Sequence, residues 1–369
     1  MYDVAIVGAG INGSALAYTL QKEGLSVALF DTAVAAGGSG AAGAFLSPKF
    51  LKSSSVKTFI NEALDEAFSF YEEAAGELIS RYPLLHIAKD ERDAKNIRYM
   101  KEHNEIEMLR SSPPFIPQNE YVYTAKSALV DAKKMCLRLA DSATFFNEKV
   151  ESLQKEKDGW RLNGSYRAKN VVLATGAYEA LIKEPYLEGV LRGIWGHRID
   201  VKSASYRSDC SIHQYVSISA TKDDLLSIGA THDVHFRPDG AQKYDFAKGR
   251  AELLQKANTT LSLGDAKVIR DYVGLRSGSI DHLPLVGGVA DLRATLQKHS
   301  VFELKKKSLQ EEAYVFHKGL YMINGSAGYG FVLAPRLARL LSRHIVAGEP
   351  IDSLLLPSRF LSRYVRRKL

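Results

Sequence analysis

The chain has 369 residues, 46% of them hydrophobic and 25% charged, a globular composition long enough for two packed regions. No uninterrupted apolar stretch reaches the roughly 18 residues of a membrane span. Two isolated cysteines, Cys136 and Cys210, argue against a disulfide framework or a thiolate metal site. The opening VAIVGAG is no secretory signal, because Asp3 stands where basic residues belong and glycines interrupt the apolar run. A cytoplasmic protein with no membrane partner and no metal is therefore expected. The formal charge of +7 makes polyanions, nucleic acid among them, candidate partners. Arg359, Arg363, Arg366, Arg367 and Lys368 concentrate it in the C-terminal tail, and Lys305, Lys306 and Lys307 form a second cluster.

Residues 3–7 (DVAIV) read as a buried strand, 11–23 as an amphipathic helix closed by Gly24, and 26–30 as a second strand. This is one βαβ unit. The glycine- and alanine-rich stretch 35–48 reads as a loop held against a ligand. A helical region over 56–80 follows, then helix-like segments to about 139, broken by Pro113, Pro114 and Pro117. Strand-like runs occupy 143–154, 159–163 and 169–176. From 193 to 231 alternating runs (HRIDVKS, QYVSISA, DLLSIGAT) predict an antiparallel sheet. A helix at 246–258, the segment VGLRSGSIDHLPLVG and a strand YMING lead to a last helix beginning near 331. That helix carries Leu333, Leu337, Leu341 and Ile345 and ends at Gly348, with Pro350 beyond.

The motif GAGING directly follows the first strand. Gly8 permits the tight turn, Gly10 lets a pyrophosphate approach the backbone, and Gly13 lets the helix pack on the strand. The helix N-terminus then offers unpaired N–H groups to phosphate, and Asp31 stands where a ribose hydroxyl is held. A lone glycine turn is weak, but strand, helix, second strand and acid occur here in order. A nicotinamide enzyme would continue with further βαβ units. This chain instead has a later strand ending in the small-residue turn VVLATG, followed by Tyr178. Alone that is a buried strand and a turn; together with Gly8–Gly13 it favours FAD.

These pieces, with GGSGAAGAF, GIWGHRIDV, VGLRSGSIDHLPLVG and GSAGYGFVLAP, resemble the D-amino-acid-oxidase/glycine-oxidase superfamily of FAD-dependent oxidoreductases over the full length. Within it, GSGAAGAFLSP, LRSGSIDHLPLVGGVADLRATL and the basic C-terminus are most similar to the oxidoreductase half of the bifunctional enzymes of tRNA 5-methylaminomethyl-2-thiouridine biosynthesis. The resemblance implies an α/β fold with an α+β substrate region. A Rossmann-type FAD-binding domain (1–88, 141–192, 265–369) would be interleaved with an antiparallel-sheet substrate domain (89–140, 193–264). It implies that Gly8, Gly10, Ile11, Asn12, Asp31, Ser39 and Ala42 line the FAD, and that Val150 meets the adenine. Ala174, Thr175 and Gly176 would meet phosphates or ribose, and Gly328, Tyr329, Gly330 and Phe331 the flavin ring, with Tyr329 also expected as a catalytic residue beside Arg276. Covalent relatives use a cysteine near the segment that here reads YMINGSAG, so the FAD is expected to be non-covalent.

Arg276, in GLRSG, matches the arginine that clamps a substrate carboxylate, a task suited to a guanidinium fork. By composition alone an arginine is more often a surface ion-pair residue. A second carboxylate-binding arginine of glycine oxidases is missing, because Gly328 and Tyr329 stand at its place, which leaves room for something larger than glycine. His197, His232, His282, Lys49 and Tyr215 have structural readings at least as good as catalytic ones. The resemblance implies oxidation of the carboxymethylaminomethyl group of tRNA wobble uridine, with the tRNA held by the basic surface and tail. It leaves open a separate methyltransferase partner. The alternatives are a small-molecule amino-acid oxidase and a flavin-carrying subunit without turnover.

Overall fold

A computed structural model describes residues 1–52, 54–177, 181–233, 244–305 and 314–369. Tyr178, Lys306 and Lys307 lie outside the described residues. The first βαβ unit forms as its apolar pattern requires. Strand Tyr2–Val7 pairs in parallel with Val27–Asp31 on one side and Tyr166–Leu173 on the other. Its side chains alternate between two cores: Val4 and Ile6 join one hydrophobic cluster, Ala5 and Val7 the other. Both faces are covered from Val4 to Val7, which is why that stretch is apolar throughout. The sheet continues through Phe316–Asn324 and Leu285–Ala290 at one edge and Thr144–Asn147 at the other, eight strands in all with the hairpin strands Leu153–Glu156 and Gly159–Leu162. Helices Ile11–Lys22, Ser55–Ala75, Ala132–Ala140 and Gly330–Ala347 cover the first face. The last of these closes on Gly348 at φ 69°, a left-handed C-terminus that glycine adopts without strain.

A seven-stranded sheet stands beside it, in the order Lys267–Ser279, Leu191–Lys202, Leu226–Gly229, Ser217–Ile218, Ser211–His213, Leu84–Ile87 and Tyr121–Thr124. It is antiparallel as expected, except that Ser211–His213 runs parallel to Leu84–Ile87. Helix Phe246–Thr260 packs Leu253 and Ala257 against it. Strand Lys267–Ser279, inside the stretch grouped above with the FAD-binding segments, pairs along its length with Leu191–Lys202 in this sheet. The resulting architecture is a mixed α/β fold.

Three local expectations are corrected. The helix expected over 56–80 ends at Ala75, and Ile79–Arg81 pairs with Ala128–Val130 instead. Leu84–Ile87 and Tyr121–Thr124 are strands within a region read as helical, because their partners lie far away in sequence. The basic tail is a helix, Arg359–Lys368, that buries Phe360, Leu361 and Val365 against the second face of the main sheet. Arg359 is consequently no free surface cation. Its guanidinium donates to both Asp281 oxygens and to the carbonyls of Leu283, Pro284, Leu355 and Leu356. Among the described residues, no helix is long and apolar enough to cross a membrane.

Candidate active site

The two sheets meet around a cavity of about 1600 Å³. One part of its wall is the glycine turn after Tyr2–Val7. Gly8 has φ 111°, and a Cβ there would lie 2.3 Å from the Ala174 carbonyl oxygen, so the two strand ends meet backbone to backbone. Gly13 is not on the wall. It acts from behind, because its Cβ would lie 1.9 Å from the Gly8 oxygen and would lift the helix from the turn. Gly10 precedes the helix Ile11–Lys22 without a side-chain cap, and Ile11 N–H donates to Ser39 Oγ at 2.9 Å. Asp31 ends the second strand, accepting from Ala9 N–H at 2.8 Å and Thr32 N–H at 2.7 Å. Gly8, Gly10, Ile11, Asn12 and Asp31 line the cavity with Ser39 and Ala42 of the glycine-rich loop. Val150 and the turn Ala174, Thr175 and Gly176 line it as well.

Gly328, Tyr329, Gly330 and Phe331 complete this wall where helix Gly330–Ala347 begins. That helix also lacks a side-chain cap at its start, where the 3₁₀ turn Ala327–Tyr329 runs into it, and its positive dipole end lies at the cavity wall. The buried Tyr71 hydroxyl anchors it by donating to the Phe331 carbonyl at 2.8 Å. Asn12 bonds Ser326, and Asn324 donates to Gly176 O, tying the two glycine turns together. Two helix starts, a tight glycine cradle and a carboxylate on one cavity fit a dinucleotide carrying a redox ring.

Arg276 enters the same cavity from strand Lys267–Ser279, opposite Ile194 in the neighbouring strand. Its Nη2 donates to the Thr231 carbonyl at 2.7 Å, and its Nη1 lies 3.4 Å from His232 Nδ1. Among the described residues no carboxylate pairs with it. Gly196 forms the floor beneath the guanidinium, since a Cβ there would sit 2.2 Å from Nη2. Burial weakens the guanidinium's hold on its proton, yet it stays charged at neutral pH.

Arg198, His213 and Ser217 share this wall and were not singled out from the sequence. Arg198 is engaged by Asp200 at 2.8 Å and lies over the Tyr272 ring. His213 is in register with His86, and burial pushes their pKa values down to about 4 and about 3. The alternation in HRIDVKS and QYVSISA was the one available signal for Arg198 and Ser217, and His213 falls just outside both runs. His197 is buried with Nε2 2.9 Å from Asp271, and exposed His282 occupies a turn at φ 66°, both structural placements. The Lys49 ammonium lies 4.7 Å from the Tyr329 ring centre, and Tyr215 is exposed.

Fold and site together define a two-region flavoprotein oxidoreductase. The chain belongs to the DAO family of FAD dependent oxidoreductases, whose family model matches residues 3–344. FAD is its cofactor, and the reading as a carrier without turnover is set aside. Among curated proteins it is similar to the tRNA 5-methylaminomethyl-2-thiouridine biosynthesis bifunctional protein MnmC of Leptospira interrogans, at 24% identity over 99% of this chain and 61% of that protein. It is also similar to glycine oxidase of Bacillus subtilis, at 25% identity over 78% of this chain and 84% of that one. The chain thus spans about three-fifths of the length of the bifunctional relatives. Among solved structures, glycine oxidase from Geobacillus kaustophilus superposes with a TM-score of 0.74 at 20% identity, covering 95% of this chain and 96% of that one.

Proposed function

We propose that the protein oxidises the carbon–nitrogen bond of an N-substituted glycine, the carboxymethylaminomethyl group of a tRNA wobble uridine. The observation that carries this reading is Arg276: a cation without a carboxylate partner among the described residues, lining the same cavity as the dinucleotide cradle. Its fork would hold the glycine carboxylate. Gly328, Tyr329, Gly330 and Phe331 would sit at the flavin ring, with the helix start stabilising negative charge. Non-covalently bound FAD would supply two-electron oxidation, converting N–CH₂ to N=CH. Water then cleaves that imine, releasing glyoxylate and leaving the aminomethyl nucleoside. The likeness to the bifunctional tRNA proteins and the formal charge of +7 support a tRNA substrate. A separate methyltransferase is the partner this reading suggests, and a cytoplasmic location follows from it. Incubation of undermodified tRNA with the enzyme should shift the wobble nucleoside by loss of a carboxymethyl group, read by nucleoside mass spectrometry. The likeness to glycine oxidase along most of both chains favours a small amino acid as the second reading. Rapid flavin bleaching by glycine or sarcosine, with tRNA unchanged, would establish it instead.

A further inference from the structure

We infer that His232 completes the carboxylate site by taking up a proton when a carboxylate binds Arg276, which rests on the reading of Arg276 above. Two acceptors, one carbonyl and one imidazole, flank the guanidinium: Thr231 O at 2.7 Å from Nη2 and His232 Nδ1 at 3.4 Å from Nη1. Gly196 closes one face of it. Nη1 can only donate, so a hydrogen bond across this 3.4 Å uses the Nδ1 lone pair and belongs to the neutral ring with its proton on Nε2.

The charges acting on the imidazole agree. Partial burial is the largest effect holding its pKa below the ordinary histidine range, followed by Arg276 and then Lys256 of helix Phe246–Thr260. Lys256 is itself paired with Glu252, and Asp233, next in the chain, pairs its backbone with that of Trp195. Both cations disfavour a further proton. A carboxylate on Arg276 brings a negative charge towards the imidazole; the proton taken up goes to Nδ1, which gives up its contact with Nη1 and leaves that donor to the carboxylate. An opposite charge within about 4–6 Å raises a pKa by roughly 1–3. Proton and ligand then strengthen each other's binding by the same factor. The direction follows: affinity rises as pH falls through the pKa of the bound state, and levels off below that of the free state. A second positive charge is thereby supplied on demand, by an exposed side chain beside Arg276 that does not itself line the cavity.

Acetate, a carboxylate with no oxidisable amine, tests this on the FAD-loaded enzyme by isothermal titration calorimetry at pH 6–8. Each titration is run in phosphate and in Tris, whose protonation heats differ. The expected result is uptake of a fraction of a proton per acetate, with binding about tenfold tighter at pH 6 than at pH 8. His232→Asn places an amide oxygen near the Nδ1 position but cannot titrate. It should bind at pH 8 within about threefold of wild type, with no proton uptake and a flat pH profile. His232→Gln serves if the Asn variant loses flavin. Binding without uptake in the wild type, or uptake retained in these variants, overturns the role of His232. A wild type that ignores acetate, or an Arg276→Ala variant that binds it equally well, refutes the reading of Arg276 itself.

Discussion

At the scale of residues, the site turns on a guanidinium bonded to a carbonyl and an imidazole, with no carboxylate partner among the described residues. Arg276→Ala should retain FAD and lower kcat/KM for the amine by about 10²-fold, since a charge-assisted clamp is worth roughly 2–4 kcal/mol. Arg276→Lys should recover little, because an ammonium lacks the planar fork. Wild-type turnover by Arg276→Ala in a steady-state assay would remove the residue from the mechanism. Arg276 was legible because a motif surrounds it. Arg198, His213 and Ser217 were not, because their shared wall is made by strands that pair at long range. No local pattern in the sequence reports which residues such pairing brings together.

At the scale of elements, the first βαβ unit was readable almost to the residue, since apolar runs, glycines and the acid all act locally. We expect the purified protein to be yellow, with one FAD per chain released intact by acid or heat. A side chain at Gly13 should abolish retention by prising helix Ile11–Lys22 from its turn, so Gly13→Val should purify colourless; full flavin content in that variant would refute the packing role. The parallel pair Ser211–His213 and Leu84–Ile87 has a different consequence. It holds His213 beside His86, and neither His86 Nδ1 nor His213 Nε2 has a hydrogen-bond partner among the described residues. Phe50 stacks on His86 at 3.9 Å, and Phe45 meets His213 edge-on. Both rings are neutral when folded, with pKa values of about 3 and 4, whereas unfolded histidines titrate near 6.5. The unfolded chain therefore binds more protons between those limits, and acid costs stability as pH falls from about 6.5 towards 4. His213→Phe should flatten that limb of a Tm-against-pH curve. An unchanged acid slope would show that these rings do not titrate on unfolding.

At the scale of the whole molecule, the basic tail separates into an anchor and a surface, a division that charge counting could not make. Arg359 and the apolar residues Phe360, Leu361 and Val365 fasten the last helix to the core, while Arg366, Arg367 and Lys368 stay exposed on its final turn and Arg363 is half-buried. Arg359→Ala should accordingly lower Tm, because the Asp281 carboxylate and four carbonyls lose their donor. Neutralising Arg363, Arg366, Arg367 and Lys368 together should leave Tm and FAD content nearly unchanged, since solvated cations contribute little to the fold. If this helix grips the tRNA body, the same variant should bind tRNA more weakly and with a flatter salt dependence. Every phosphate left without its cation should take roughly 0.7–0.9 off the slope of log K against log salt. Oxidation of a minimal N-substituted glycine should not change, because the substitutions touch no residue of the cavity wall. Filter binding across a salt series, run beside the small-substrate assay, separates the two effects. An unaltered slope in the quadruple variant would place the tRNA elsewhere on the surface, and no tRNA binding by the parent would move the small-amine oxidase into first place.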